Sequence, residues 1–234
     1  MPDPTRRKES VTVPDGTFDL HVWSPAEPAP GVLVLQEIFG VGDYIEAVCA
    51  RLAEAGYVAA APDLYWRTAP GFRAVHDEAG LQASFEQVGR LDVPQAIVDS
   101  VAALEALSNL SDVAGRPGVL GFCLGGTLAW GVAAQGDPSC CVSYYGSGVP
   151  DMLGLVDQVR CPVLFHFGDD DPYIPGERIE AVNEAVGAHR NLALNVERAG
   201  HAFDNHAAPM FSVPAAAAAA WAKTLAFLET NLPR

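Results

Sequence analysis

Short apolar runs alternate with helix-spaced stretches along most of the chain. The runs at 32–35, 58–61, 118–121, 141–145, 163–167 and 194–196 are rich in β-formers and mostly unalternating, the pattern of strands buried on both faces. Between them, 45–55, 93–107, 124–134 and 179–188 carry apolar residues at helical spacing. This order predicts an α/β fold, with a mostly parallel, doubly wound central sheet and helices on both faces. Phe18, Leu20 and Val22 alternate within 18–23 and predict an antiparallel strand at the sheet edge. The alanine-rich stretch 214–228 places Trp221, Leu225 and Leu228 at helical spacing and predicts a terminal helix docked on the sheet.

Two stretches are less regular. Residues 62–71 are rich in Pro, Gly and aromatics, and Thr68-Ala69-Pro70-Gly71-Phe72 reads as a turn closing a loop rather than as a domain linker. One domain over 1–234 is therefore expected. Residues 72–91 combine weak periodicity with several charges, which fits a solvated surface helix better than an excursion covering a site.

Composition narrows the function. With 234 residues, 50% of them hydrophobic, the chain can bury one large core. Its formal charge of -15 repels phosphate backbones and anionic bilayers, and Arg6-Arg7-Lys8 is the one basic cluster, so no nucleic acid and no membrane partner is expected. The five cysteines (Cys49, Cys123, Cys140, Cys141, Cys161) lack C-x-x-C spacing and fit neither a disulfide framework nor a zinc ribbon, which points to the reducing cytoplasm. Residues 1–10 are polar without an apolar export core, and the alanine run 215–220 is too short to span a bilayer. Oligomeric state is not readable from the pattern; a monomer is compatible with it.

One residue carries the chemistry. Cys123 stands in Gly121-Phe122-Cys123-Leu124-Gly125-Gly126, between a strand run and a helix run. There a thiol would sit on a sharp strand-to-helix elbow, with glycines permitting the turn and helix-start N–H groups favouring a thiolate. The bland reading is a buried packing cysteine. A catalytic thiol needs an imidazole partner, and six histidines compete. His21 falls in the edge strand, His76 in a charged surface stretch and His189 at a helix end. His166 reads as a hydrogen-bonded core histidine. His201 follows Ala199-Gly200 on a loop after the last strand run, at the end of the sheet where α/β folds place their sites.

A carboxylate should orient that imidazole, and Asp169-Asp170-Asp171-Pro172 follows the strand run ending at Gly168. The aspartates beside His166 could suggest a metal, yet adjacent turn aspartates are commonly solvated, and His201 and His206 lack a matching third ligand; no metal or cofactor is expected. The backbone N–H groups of Leu124 and Ile38 are the candidate oxyanion donors, one after the nucleophile and one after an early central strand. Glu37 lies on the same rim, either as a site carboxylate or as an exposed loop acid.

With these pieces placed, the chain resembles the dienelactone hydrolase (carboxymethylenebutenolidase) family of the α/β-hydrolase fold. The likeness is carried by Gln36-Glu37-Ile38-Phe39-Gly40-Val41, Pro62-Asp63-Leu64-Tyr65, the Cys123 motif, Tyr144-Tyr145-Gly146 and Ala199-Gly200-His201-Ala202-Phe203, in that order. The resemblance implies a Cys123–His201–Asp171 triad, choosing Asp171 among the three aspartates because it lies three positions after the strand-end glycine. It also implies that Glu37 contacts the resting thiol, and that hydrolysis of a small lactone or ester runs through a thioester acyl-enzyme.

The chain departs from the family where substrate is bound. The family's carboxylate-binding arginines have no evident counterpart near 77–82 or past His201, where Asp204-Asn205 stands and Asp204 would repel a carboxylate. Arg67, Arg73 or Arg198 could substitute. Phe39, Trp66, Phe85 and Tyr145 are the expected apolar lining for a neutral ester or lactone. The alternatives are a generalist carboxylesterase and a non-catalytic binding protein on the same scaffold.

Overall fold

In the computed structural model, which describes residues 4–232, eight strands form one sheet. They are β1 (Thr5–Val13), β2 (Gly16–Ser24), β3 (Ala29–Leu35), β4 (Val58–Pro62), β5 (Val113–Phe122), β6 (Cys141–Tyr144), β7 (Val163–Gly168) and β8 (Leu192–Glu197). The spatial order is β1-β2-β4-β3-β5-β6-β7-β8. β1 and β2 are antiparallel to their neighbours and the rest run parallel. Every residue of β3, β4, β6 and β7 is buried, which explains their unalternating sequences.

The six helices are α1 (Asp43–Glu54), α2 (Glu78–Val88), α3 (Val93–Ser108), α4 (Leu124–Gln135), α5 (Gly176–Gly187) and α6 (Pro214–Asn231), with a 3₁₀ segment over Val149–Gln158. Strand alternation sorts them into two layers. In β5, a Cβ at Gly118 would reach Leu232 beyond α6, and Phe122 meets Tyr44 of α1 edge-on, whereas Gly121, on the opposite face, lies against Gly125 of α4. α1 and α6 are joined by the Arg51 guanidinium 3.9 Å over the Trp221 ring. α3 and α4 pack together on the other face.

Three sequence expectations are corrected. The strand over 18–23 is not the edge: β1 lies outside it, pairing from Thr5↔Ser24 to Val13↔Gly16. β1 was hidden because only Val11 in it is buried, and a charged edge strand resembles a polar terminus. Residues 1–3 of that polar stretch, and the last two of the expected 1–234 domain, fall outside the described residues. Strand β6 ends at Tyr144, since Tyr145 turns away with φ 37°. β5 starts earlier than its apolar run, because a register shift opposite Pro30 and Val32 interrupts the pattern.

The chain winds from β3 outward to β4 and then crosses back to β5 on the other side of β3. The carboxyl ends of β3 and β5 therefore flank a topological switch point, where such sheets open a crevice.

Candidate active site

Cys123 leaves β5 and serves as the residue before α4, with φ 54° and ψ -114°. A non-glycine residue pays strain for that conformation, and the surroundings enforce it. The Cys123 N–H donates to the Tyr144 carbonyl at 3.0 Å. The flanking backbone comes so close that a Cβ at Gly121 would sit 1.9 Å from the Gly125 carbonyl oxygen. A Cβ at Gly125 would sit 2.1 Å from that of Leu35. The glycines of the motif thus press β5, α4 and β3 together and aim the thiol past the sheet end.

The structure brings the three predicted side chains into one chain of contacts. His201 Nε2 lies 3.2 Å from Cys123 Sγ, and Nδ1–H donates to Asp171 Oδ2 at 2.7 Å. The other Asp171 oxygen accepts the Tyr173 N–H at 2.8 Å, so this buried carboxylate is held by two donors. Asp169 and Asp170 are exposed; Asp169 accepts the Ala199 N–H and steadies the loop carrying His201. The His201 ring is flanked edge-on by Tyr145 at 5.2 Å and Tyr173 at 4.8 Å. Burial disfavours its charged form, yet the hydrogen bonds to Asp171 and Cys123 outweigh this and raise its pKa to about 10.

Leu124 is the first residue of α4, so its N–H has no intrahelical acceptor. Ile38 lies across the same crevice, three residues past β3, and lines the same cavity. That cavity, about 280 Å³, is lined by Glu37, Phe39, Thr127, Tyr173, Asn205 and Phe211 among others, with Cys123 and His201 inside it. Leu81, Phe85 and Val88 of α2 complete its wall. α2 therefore covers the site, contrary to the surface-helix expectation. Its weak periodicity has a physical reason: Leu81 and Phe85 face the cavity, Val88 alone also packs against the core, and Ser84 is its one buried residue.

Several expectations fail in the detail. Glu37 does not touch the thiol. Its buried carboxylate accepts Asn205 Nδ2 at 2.6 Å and the Tyr145 hydroxyl at 3.4 Å, and His76 Nε2 stands 3.8 Å away. Tyr145 supports Glu37 and His201 from behind instead of lining the cavity. Trp66 stacks on Phe18 and donates to Asp99, away from the site. The His76 side chain is covered by Phe39, ring centroids 4.1 Å apart, despite its charged neighbours. Asp204 points away from the cavity, accepting the Tyr44 hydroxyl at 2.7 Å, and burial raises its pKa to about 6.

Among the described residues, no lysine or arginine lines the cavity. Arg67 pairs with Asp99 and Asp15, Arg73 with Asp43 and Glu46, and Arg198 is exposed beyond β8; none lines the cavity. Among the described residues, no cluster of three or more His, Cys, Asp or Glu has metal-binding geometry. His166 is a core histidine, with Nδ1 accepting from Asn195 at 2.9 Å and Nε2 3.1 Å from the Thr224 hydroxyl. No helix among the described residues is long and apolar enough to cross a membrane.

The sequence profile of the dienelactone hydrolase family matches residues 18–232. The carboxymethylenebutenolidase of Pseudomonas sp. strain P51 is 36% identical over 220 residues, covering 93% of this chain and 92% of that protein. Carboxymethylenebutenolidase 1 of Cupriavidus pinatubonensis is 35% identical over 218 residues, covering 91% and 92%. Among solved structures, a putative dienelactone hydrolase from Klebsiella pneumoniae superposes with a TM-score of 0.81 at 26% identity, covering 95% of this chain and 97% of that one. A dienelactone hydrolase-like promiscuous phosphotriesterase from metagenomic libraries gives 0.83 at 25% identity, covering 99% and 100%. With its α/β-hydrolase fold, its crevice at the switch point and these likenesses over nearly its whole length, the chain belongs to the dienelactone hydrolase family and is a lactone or ester hydrolase.

Proposed function

We propose that the protein hydrolyses a small neutral lactone or ester through a Cys123–His201–Asp171 triad, with the whole chain acting as one domain. The observation that carries this reading is the hydrogen-bonded line from Asp171 through His201 to Cys123 on a mostly apolar cavity. Asp171 fixes the imidazole with Nε2 toward sulfur, and the raised pKa of His201 lets it hold the proton that sulfur gives up on attack. The thiolate attacks the carbonyl carbon, and the N–H groups of Leu124 and Ile38 receive the developing oxyanion. Collapse breaks the carbon–oxygen bond, and His201 returns its proton to the leaving alkoxide. Water, deprotonated by His201, then cleaves the thioester, releases the acid and restores the thiol.

The lining supports a neutral substrate. Among the described residues its lining carries one carboxylate, Glu37, and no lysine or arginine, so a substrate carboxylate would meet a like charge without a guanidinium or ammonium to receive it. A thiol nucleophile among five free cysteines suits a reducing compartment, which favours the cytoplasm.

Steady-state hydrolysis of cis- and trans-dienelactone beside p-nitrophenyl acetate tests both halves of the proposal. The expected outcome is preference for the neutral ester, abolished by Cys123→Ala and by His201→Ala in proteins that remain folded. Turnover surviving in either variant would overturn the triad, and efficient use of a dienelactone carboxylate would overturn the substrate class.

A further inference from the structure

A second compartment lies beside the catalytic cavity. It measures about 260 Å³ and is lined by Phe39, His76, Asp77, Glu78, Leu81, Met210 and Phe211. Phe39, Leu81 and Phe211 line both spaces, so these three side chains form the partition between them. The two spaces are of similar size, and the interior of the second is apolar apart from His76 and the acidic pair at its rim.

The partition is built from lightly held parts. Leu81 belongs to α2, which buries only Ser84. Phe211 is half-buried on the segment between His201 and α6. Met210, at the outer side, is 66% exposed. By contrast Phe39 is buried and braced by the His76 ring. Phe39 is thus the most firmly enclosed of the three, whereas Leu81 and Phe211 are only partly buried.

The compartment also contains polar chemistry that the triad does not use. The His76 side chain is more than nine-tenths buried, and its Nε2 has no hydrogen-bond partner. Asp77 and Glu78 stand at the same opening, and the Asp77 carboxylate is engaged in capping α2 through the Gly80 N–H. An acidic rim over an apolar interior rejects anionic tails and admits neutral ones.

We infer that this compartment is a subsite for an extended, uncharged apolar substituent of the substrate, reached from the catalytic cavity past Leu81 and Phe211. The inference rests on the proposed esterase reading and specifies its substrate class: a neutral ester or lactone carrying a linear hydrocarbon chain. A chain that crosses the partition buries methylenes against Phe39, Leu81 and Met210. Each methylene moved out of water contributes roughly a fourfold gain in kcat/KM, until the space is filled.

The test compares p-nitrophenyl acetate, butyrate and octanoate below their micellar concentrations, in the wild-type chain and in Met210→Trp, whose indole would fill the outer compartment at an exposed, fold-tolerant position. The octanoate-to-butyrate ratio of kcat/KM is expected to be at least about tenfold in the wild type and to collapse in Met210→Trp, while the butyrate-to-acetate ratio is kept. A flat or falling wild-type series would overturn the subsite, as would a variant that lowers butyrate and octanoate alike. A second readout does not depend on turnover: alkylation of Cys123 by N-octyl iodoacetamide against N-methyl iodoacetamide, followed by mass spectrometry. The octyl reagent should react faster and saturably in the wild type and lose that advantage in Met210→Trp. Should no ester be hydrolysed, the proposed function fails while this alkylation ratio still decides the subsite; equal rates for both reagents would refute it.

Discussion

His166 gives the protein a specific sensitivity to acid. The ring is fully buried in β7, and burial lowers its pKa from 6.5 to about 3. Its neighbours fix the tautomer. Lys223 donates to Asn195 Oδ1, which turns the Asn195 amide nitrogen toward His166 Nδ1, and that nitrogen must therefore accept. Nε2–H is left to donate to the Thr224 hydroxyl, which is shared with Tyr144. A proton on Nδ1 would set two donors against each other in the core. Between about pH 6.5 and pH 3 the unfolded chain therefore binds a proton that the folded chain refuses, so stability falls as the pH falls through that window. At 1.36 kcal/mol per unit, lowering the pH from about 7.5 to about 5 removes about 2 kcal/mol through this one group. His166→Gln keeps a polar side chain but cannot titrate. The variant should be less stable at neutral pH by about 1–3 kcal/mol, from imperfectly replaced hydrogen bonds, and the gap should shrink by about 2 kcal/mol at about pH 5. Urea unfolding of both proteins at the two pH values reads this difference directly. Asp204, whose raised pKa of about 6 acts with the opposite sign over part of the same range, is common to both and cancels. Parallel pH profiles for wild type and variant would show that His166 titrates alike in the folded and unfolded chains, and a gap that widens at low pH would show it protonated in the fold; either would refute the reasoning.

Two further outcomes follow from the site itself. Gly125→Ala should lose more than about 3 kcal/mol in urea unfolding or fail to accumulate, because its Cβ would stand 2.1 Å from a backbone oxygen, whereas Gly154→Ala, with nothing within 4 Å, should be near neutral. Glu37→Gln should leave the rate of Cys123 alkylation by iodoacetamide within about twofold, since the carboxylate is bonded to Asn205 and Tyr145 and not to sulfur; a rise of tenfold or more would put Glu37 on the thiol in solution.

The parts legible in the sequence are those where one physical demand acts alone. Strands such as β3 and β7 are buried on both faces, so their apolar runs announce them. The elbow needs glycines where backbones touch, so its motif is visible too. Legibility fails where a residue's neighbours in sequence differ from its neighbours in space. His76 sits among Arg73, Asp77 and Glu78 and looks solvated, yet Phe39 covers it from another loop. Trp66 follows a motif at the site and looks like lining, but its indole N–H is committed to Asp99 on α3. Asp204 looks like a charge in the substrate's path, and Tyr44 from α1 draws it out of the cavity. Tyr173, Thr127, Asn205 and Phe211 carry no local signal at all; only the closing of the switch-point crevice gathers them.

The positive φ of Cys123, locked by carbonyls that leave no room for a methyl group, has a bearing on how this lineage can change. The Cys123 thiol is anchored to the middle of the sheet, whereas α2 and the segment around Phe211, which line the cavity, share little of the core. Substitutions in those outer pieces can redraw the substrate range without moving the thiol or its imidazole. A hydrolase built this way can change substrates while keeping one reaction.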